Sequence, residues 1–444
     1  MGEWKKVRIG EFLTERQGRY KPNDNAIATY KRLDKIDFSG TIHISEKPSK
    51  TDMIVVQPGD LVISGINVAK GAIAVYQGTE PVTATIHYSS YIFDDSVIDL
   101  EYFKYFVKSP AFIETLKKQV KGGIKTEIKP KVFLPLEISL PDLPTQKQIV
   151  KKFSVNLKRV NKLAKEIETQ KRYAKQLRRN ILQDAIEGKL TADWRKEHPV
   201  QKGNPDYDAE ALFESIQKER KVDKKRKALP PILDAEKPFG LPSGWKWVRL
   251  GELANVVRGG SPRPAGDKAY YDGNIPFLKV ADLTATEDKE LYAYTYTIKE
   301  AGLYKTRFVE KETLMLTNSG ATLGVPKICM IATTFNDGIA AFLGIKQRIL
   351  KDYMFYLLKS KTQWFLKEAA RGQGQPNLNS DIIANTIATF PPLKEQEVIV
   401  NQIENLLSKA TELETQIKER ERLSERLISG IIRDNLEEGG NVKS

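Results

Sequence analysis

The chain is poor in the residues and segments that would place it in a membrane, in an oxidising compartment or around a metal. One cysteine in 444 residues excludes an internal disulfide and favours a reducing cytoplasm. No apolar run approaches the roughly 20 residues of a membrane-spanning helix, and no apolar segment of a secretion signal follows the first charges. His43, His87 and His198 are scattered, so no metal cluster has ligand spacing. We therefore predict a cytoplasmic protein with no membrane partner and no bound metal.

Motifs of common enzyme classes are missing or incomplete. There is no G-x-x-x-x-G-K-[ST] phosphate loop, which argues against ATP hydrolysis. Phe390-Pro391-Pro392-Leu393 lacks the polar and aromatic ends of an amino-methyltransferase motif. A loose nuclease pattern, Pro205-Asp206 followed by Glu219-Arg220-Lys221, falls in a charged, helical stretch rather than on a strand beside a metal. The sequence thus predicts no catalytic residue and no cofactor in this chain, with a stand-alone nuclease or methyltransferase as a minor alternative.

Positive charge is abundant. The formal net charge is +14 and the pI is about 9.4, while hydrophobic residues make up 40% of the chain. A basic surplus of this size in a chain without a secretion signal points to a polyanionic partner, and double-stranded DNA is the first choice. The alternative is that the charge serves solubility alone.

The chain also contains the same sequence pattern twice. Trp4–Phe12 is repeated by Trp245–Leu253, and Leu140–Val150 is repeated by Phe390–Val400. The period is far longer than the roughly 20–50 residues of a solenoid repeat. It indicates two similar halves, each with a globular segment followed by a helix that begins after a proline.

Each of these helices carries apolar residues spaced alternately by three and four, which is typical of a coiled coil. A chain with two such seams can bury both in an antiparallel pair, whereas a parallel homodimer is the alternative. We therefore predict an α+β fold: two α/β domains joined by two long helices that form an antiparallel intramolecular coiled coil with pseudo-twofold symmetry. The predicted seam residues, which also serve for docking partners, are Ile149, Phe153, Val160, Leu163, Ile167, Leu177, Ile399, Ile403, Leu406, Leu413, Ile417 and Leu427.

These patterns divide the chain into five segments. The globular halves are residues 1–143 and 241–393, and the long helices are residues 144–190 and 394–438. Residues 191–240 form a linker with prolines, one predicted helix and a basic run at residues 218–227. The basic run is either a solvated strap or a secondary contact to DNA or a partner.

Loops rich in glycine and polar residues precede the last strand of each half. Glycine allows close approach of a backbone, Lys and Arg meet phosphates, and Gln, Asn and Arg can read base edges. An ordinary polar loop is the alternative. The candidate DNA-binding residues are Lys121, Gly122, Lys125, Lys129 and Lys131 in the first loop, Arg371, Gln373, Gln375, Asn377 and Asn379 in the second, and Arg19, Lys21, Lys70, Arg258, Arg263 and Asn318 elsewhere.

Taken in order, these features resemble the specificity subunit of type I restriction–modification systems. The resemblance rests on the repeated Trp4–Phe12 and Trp245–Leu253 segments, on the helix entries at Pro141–Ile149 and Pro391–Ile399, and on Glu187–Arg195 after the first helix. It covers essentially the whole chain.

The resemblance implies that each globular half is a target recognition domain that reads one part of a bipartite DNA site. The helices would set the gap and dock two modification subunits, which carry S-adenosylmethionine. Restriction subunits would add ATP- and Mg-dependent translocation and cleavage. The alternative is a coiled-coil DNA-binding adaptor that does not read sequence.

Overall fold

The computed structural model describes residues 4–37, 40–47, 49–66, 72–106, 109, 112, 114–115, 118, 129–220, 229–369 and 377–436. The chain divides into two compact units: Met1–Thr169 with Ile417–Ser444, and Gln170–Gln416. Each long helix contributes one part to each unit.

The first unit contains three small sheets. A two-stranded sheet pairs β1 with β10, and the four-stranded sheets have the orders β2-β9-β6-β7 and β4-β3-β8-β5. The strands are β1 Lys5–Arg8, β2 Leu13–Glu15, β3 Lys31–Ile36, β4 Ile42–Ser45, β5 Met53–Val56, β6 Leu61–Ser64, β7 Ile73–Val75, β8 Val82–Thr85, β9 Tyr88–Phe93 and β10 Glu137–Leu140.

Strand β6 lies between two cores of this unit. Leu61 and Ile63 pack into one core and Val62 into the other, as the alternation of side chains along a strand requires. Short helices complete the unit: 3₁₀ turns at Ile9–Glu11 and Asn25–Ile27, α1 at Leu100–Phe106 and α2 at Pro130–Phe133.

The second unit contains a two-stranded sheet of β11 and β21, a sheet of order β12-β20-β17-β18-β14 and a sheet of order β15-β13-β19-β16. Its strands are β11 Lys246–Arg249, β12 Asn255–Arg258, β13 Tyr271–Leu278, β14 Glu290–Leu291, β15 Tyr296–Ile298, β16 Arg307–Val309, β17 Thr313–Thr317, β18 Pro326–Cys329, β19 Thr333–Phe335, β20 Ile339–Leu343 and β21 Ile387–Phe390.

Helices surround these sheets, and 3₁₀ turns lie at Asp234–Glu236 and Glu300–Lys305. The helices, counting the two long ones that extend into the first unit, are α3 Leu143–Ile186, α4 Ala192–Glu197, α5 Ala209–Arg220, α6 Leu250–Leu253, α7 Val280–Thr284, α8 Arg348–Trp364, α9 Ser380–Asn385 and α10 Leu393–Leu436; a π-helical turn, Phe365–Ala369, continues α8.

The repeated sequence forms the same frame in both units. Lys5 of β1 lies opposite Leu140 and Arg8 opposite Glu137, and in the second unit Lys246 lies opposite Phe390 in the same antiparallel register. The globular segment of each half therefore leaves and rejoins its frame at neighbouring strands.

Each frame leads directly into a long helix of 44 residues. The side-chain Nε2 of Gln146 donates to the Pro141 carbonyl at 2.9 Å, and that of Gln396 donates to the Pro391 carbonyl at 2.8 Å. These buried hydrogen bonds explain why glutamine follows proline at a fixed spacing in both halves, since each satisfies a carbonyl at a helix entrance.

Within the second unit the long helices run antiparallel. The Arg178 guanidinium meets the Glu414 carboxylate at 2.7 Å, while Thr191, further along the chain, meets Glu395, further back along the partner helix. Ile181 and Ile403 belong to the same buried cluster. The predicted α+β class and the antiparallel pairing inside one chain are confirmed, and the parallel homodimer is not favoured.

Three of the predicted seam residues are not enclosed between the two helices, and their role in docking partners stays a prediction. Leu177, Leu413 and Leu427 are 39%, 47% and 50% exposed. Away from the frame of the second unit, where Leu182, Ala185, Ile399 and Val400 are also buried, burial recurs once every seven residues rather than twice, because two paired helices enclose only a narrow stripe. The stripe consists of Phe153, Val160, Ile167, Ala174 and Ile181 on α3, with Ile403, Ala410 and Ser424 on α10.

Candidate nucleic-acid interface

A polar cleft of about 520 Å³ opens on the first unit. Its residues come from the turn after β2, from the β8–β9 connection with the start of β9, and from the segment before α2. Nitrogen and hydroxyl groups predominate among its side chains, so it can meet phosphates and base edges. The principal lining residues are Arg16, Gln17, Arg19, His87, Tyr88, Ser89 and Lys129.

Arg16 is fixed in this cleft by a buried carboxylate. Its Nε and Nη2 donate to the two Asp60 oxygens at 2.6 and 2.8 Å, and the Ser90 hydroxyl donates to the same carboxylate at 2.7 Å. The hydrogen bond to Asp60 raises the pKa of the Arg16 guanidinium. A guanidinium held by two bonds is preorganised, so it loses little side-chain entropy when it meets a ligand.

The predicted residues of the first unit lie in and around the cleft. Arg19 and Lys129 line it, and both are exposed. Lys21 is exposed and pairs with Asp52 at 3.2 Å, and Lys131 is exposed on α2. The other predicted residues of this unit lie outside the described residues: Lys70, Lys121, Gly122 and Lys125.

Sequence reasoning missed His87 and Tyr88 as cleft residues. Gln17 lies in the polar stretch at residues 16–21, to which the predicted Arg19 and Lys21 also belong. His87 was discounted as one of three scattered histidines. Its place in the cleft depends on the β8–β9 turn, which local sequence does not reveal.

In the second unit, the loop after β12 is locked against its neighbours. The Gly260 amide donates to the Phe335 carbonyl at 3.1 Å, and a Cβ on Gly260 would lie 2.0 Å from the Lys305 carbonyl oxygen. Arg258 Nε donates to the Asp337 carbonyl, whereas Arg263 is exposed. The loop therefore holds Arg258 inward and offers Arg263 to a ligand.

Two predicted asparagines, Asn318 and Asn377, lie close together in the second unit, where the backbone amide of Leu378 donates to the Asn318 carbonyl at 2.8 Å. Asn318 is fully buried, and both of its side-chain amide atoms lack a hydrogen-bond partner among the described residues. Asn377 pairs with Ser319 as an isolated β-bridge. Direct DNA contact by Asn318 thus requires its surroundings to open.

Asn379 caps α9 by accepting from the Ile382 amide at 2.7 Å. Such a cap satisfies a backbone donor that the first turn of a helix leaves open. Its predicted role in binding DNA stays a prediction. The neighbouring predicted residues Arg371, Gln373 and Gln375 lie outside the described residues.

Glu219 of the nuclease pattern does not lie where a metal-dependent nuclease needs it, and Lys221 lies outside the described residues. Glu219 lies on α5 rather than on a strand, and its carboxylate pairs with Lys346 at 3.1 Å. Within the described ranges, no group of three or more His, Cys, Asp or Glu side chains could hold a metal. Cys329 is buried on β18, and burial raises the pKa of its thiol to about 11.

None of the helices in the described part of the chain combines the length and apolar character of a membrane span. Two sheet-rich segments on matching frames, one with a polar cleft, together with paired long helices, define a scaffold protein built by duplication. The family model of the type I restriction modification DNA specificity domain matches residues 1–171 and 242–420. The chain belongs to this family.

Relatives and solved structures agree with this assignment. The EcoEI specificity subunit of Escherichia coli is 25% identical over 284 residues, which are 62% of this chain and 47% of the relative. The EcoDI specificity subunit of Escherichia coli is 21% identical, covering 94% of this chain and 84% of the relative. The chain spans less than half the length of the EcoEI and EcoAI subunits, at 47% and 41%.

Solved structures support the fold. A chain from work on complex assembly and conformational transition of the type I R-M system has a TM-score of 0.63 at 18% identity, with 98% of both chains covered. The HsdS subunit from Thermoanaerobacter tengcongensis has a TM-score of 0.52 at 18% identity, covering 98% of this chain and 97% of that chain.

Proposed function

We propose that the chain is the non-catalytic specificity subunit of a cytoplasmic type I restriction–modification complex. The single observation that carries this proposal is the duplicated frame: two strand pairs of the same antiparallel register lead into two helices of equal length, yet hold globular segments of different sequence and sheet order. One frame with two different inserts suits a bipartite DNA site whose halves differ in sequence.

In the first unit the cleft supplies both kinds of DNA contact. Arg19 and Lys129 at its surface meet phosphates, which position the protein without reading sequence. Arg16, with its guanidinium plane fixed by Asp60, together with Gln17, faces base edges. A good bidentate contact of this kind discriminates against a wrong base by about 1–3 kcal/mol.

In the second unit the exposed Arg263 and the loop at residues 371–379 read the other half-site. The locked glycines of the loop after β12 support Arg263 on a rigid backbone. Because the two units use different elements for contact, each half-site has its own sequence. The domain boundaries predicted above, residues 1–143 and 241–393, define the two reading segments.

The outer faces of the long helices dock the modification subunits. Leu177 and Leu413 in the second unit, and Leu423 and Leu427 in the first, are large apolar side chains exposed on these helices. Exposed apolar groups in rows on a helix suit a helical partner. Two modification subunits would bring S-adenosylmethionine, and restriction subunits would bring ATP and Mg.

The test is co-expression with a modification subunit, followed by sequencing of host DNA for N6-methyladenine. One bipartite motif that disappears when the chain is deleted supports the proposal. Replacement of residues 241–393 by the matching segment of another family member should change one half-site and retain the other. A pattern that is indifferent to both changes contradicts it, and binding selection on random DNA would then identify a non-reading adaptor.

A further inference from the structure

The strand that opens each frame is covered in the second unit and open in the first. Arg249 of β11 is 4% exposed, whereas the side chain of its counterpart Arg8 on β1 is 67% exposed. Val248 is fully buried, but its counterpart Val7 is only partly buried. Because the two strands have the same register, the difference arises from what lies over them.

In the second unit the linker is the cover. The Arg249 guanidinium donates to the Pro230 carbonyl at 2.8 Å and to both Glu236 oxygens at 3.0 Å. The Lys246 ammonium meets the Glu210 carboxylate of α5 at 2.7 Å. Both cations of β11 are therefore matched by linker carboxylates.

The linker also supplies donors to backbone carbonyls at the end of this strand. The Gln217 amide donates to the Glu252 carbonyl at 2.8 Å, and Arg220 donates to the carbonyls of Gly251 and Glu252. Glu210 and Gln217 are seven residues apart on α5, so they lie on one side of that helix. One face of α5 thus carries both the carboxylate that meets Lys246 and the side-chain donors that meet the carbonyls of Gly251 and Glu252.

Among the residues that the structure describes, the same groups of the first unit have no such cover. Lys5, Arg8, Gly10 and Glu11 are all exposed. The carboxylate near Arg8 is Glu137, at 3.8 Å. In the described part of the chain, no side chain donates to the carbonyls of Gly10 or Glu11.

We propose that this open face, formed by Lys5, Arg8 and the carbonyls of Gly10 and Glu11, docks an amphipathic helix of a modification subunit. The helix carries a carboxylate for Lys5 and, seven to ten residues further on, an amide or guanidinium donor for the carbonyls. The inference rests on the proposed function, because it takes the partner from that complex.

A polypeptide fits this face better than DNA does. Phosphates would satisfy Lys5 and Arg8, but their oxygens only accept hydrogen bonds and cannot serve the two carbonyls. A helix with mixed acids and donors satisfies both sets of groups. The second unit carries such a helix on its equivalent face, which gives the chemistry of the occupant.

Site-directed cross-linking tests the contact. Cys329 is fully buried, so Lys5→Cys provides one accessible thiol for a benzophenone maleimide. Lys50→Cys, an exposed position before β5, is the matched control. In the full complex with DNA, Lys5→Cys should cross-link to a modification-subunit peptide with the acid and donor spacing, and Lys50→Cys should not. Cross-links to DNA alone, or none, overturn the proposal.

Charge reversal supplies the second measurement. Lys5→Glu with Arg8→Glu should weaken modification-subunit binding about tenfold in mass photometry titrations, while Lys50→Glu should leave it unchanged. Unfolding midpoints check that the variants remain folded. Unchanged affinity overturns the docking face and leaves the proposed function standing. Failure of the unaltered chain to assemble with the modification subunit at all would instead contradict the proposed function.

Discussion

Arg178 and Glu414, 236 residues apart, form a two-point ion pair between the long helices of the second unit, with Nε–Oε1 at 2.7 Å and Nη2–Oε2 at 2.8 Å. The Thr411 hydroxyl accepts from the same Nη2 at 2.7 Å. The pair lies where the helices enclose only a narrow stripe of apolar residues. It therefore helps to fix the register of the two helices, which burial of that stripe alone specifies weakly.

Removal of this pair should lower stability modestly. Arg178→Ala should reduce the free energy of unfolding by about 0.5–1 kcal/mol, because both side chains are about one-third exposed and solvent screens the pair. Urea unfolding of the single variants and the double variant with Glu414→Ala measures the coupling. Arg179→Ala, an exposed neighbour, is the control. Additive effects in the double variant would show that the two side chains do not interact.

The same pair predicts a pH dependence. The hydrogen bond from Arg178 lowers the pKa of the Glu414 carboxyl below its ordinary value of 4.5. As pH falls, the Glu414 carboxylate is therefore protonated first in the unfolded state. The contribution of the ion pair to stability is complete above pH 4.5 and is lost as pH falls through the lower folded-state pKa. Unfolding free energies from pH 3 to 7 should converge for the native chain and Glu414→Gln at the acid end. A difference that grows on acidification would contradict the sign.

Glu395 should matter more for stability. It is almost fully buried and accepts from the Thr191 hydroxyl at 2.6 Å, from Arg195 at 2.5 Å and from the Trp245 indole at 2.7 Å. Glu395→Ala leaves three donors without their acceptor and should cost about 2–4 kcal/mol.

Glu397→Ala is the matched control for this change. Glu397 lies on the same helix turn, and its carboxylate pairs with Lys394 in a largely exposed position. Chemical denaturation followed by tryptophan fluorescence gives both values. Equal effects of the two substitutions would show that burial of Glu395 adds nothing.

Arg16 and Lys129 should have separable effects on DNA binding. Arg16→Lys removes the fork held by Asp60 and should reduce discrimination at one position of the first half-site by about 1–3 kcal/mol. Lys129→Ala should weaken binding uniformly and reduce the salt slope by about 1. Competition binding with single-base variants at several salt concentrations distinguishes them. A uniform loss for Arg16→Lys would assign it to phosphate contact.

The helix pair should tolerate insertions of seven residues and not of four. Because burial recurs every seven residues, one heptad added to each helix keeps the stripe aligned. It lengthens the pair by about 10 Å, which is about three base pairs of DNA. The methylated motif should keep both half-site sequences, and the gap between them should grow by that length. Four-residue insertions should lower the unfolding midpoint, and new half-sites at the old gap would contradict the spacer role.

Local periodicity made the helices and their order predictable. The spacing that begins at Ile149 and Ile399 marks helices that the structure extends to 44 residues each. Such patterns are set by neighbours in sequence, so one chain is enough to read them.

Long-range placement was not predictable. The linker helix Ala209–Arg220 matches its predicted place, but nothing in its sequence shows that Glu210 and Gln217 cover β11. The exposure of Leu177 is of the same kind, since the number of helices around a seam decides how much of it is enclosed. The cleft around Arg16 depends on three separate segments, and its acid partner Asp60 lies 44 residues away.

The antiparallel frame has a consequence for inheritance. Arg8 and Glu137 lie opposite one another, as do Arg249 and Ile387. The chain between the two residues of each pair therefore leaves the frame and returns to it at neighbouring positions. On the proposed function, a stretch of gene exchanged between two such positions would replace a whole reading segment and leave both helices intact. A lineage would then acquire a new DNA target in one recombination event, while the surfaces that meet the partner subunits stay the same.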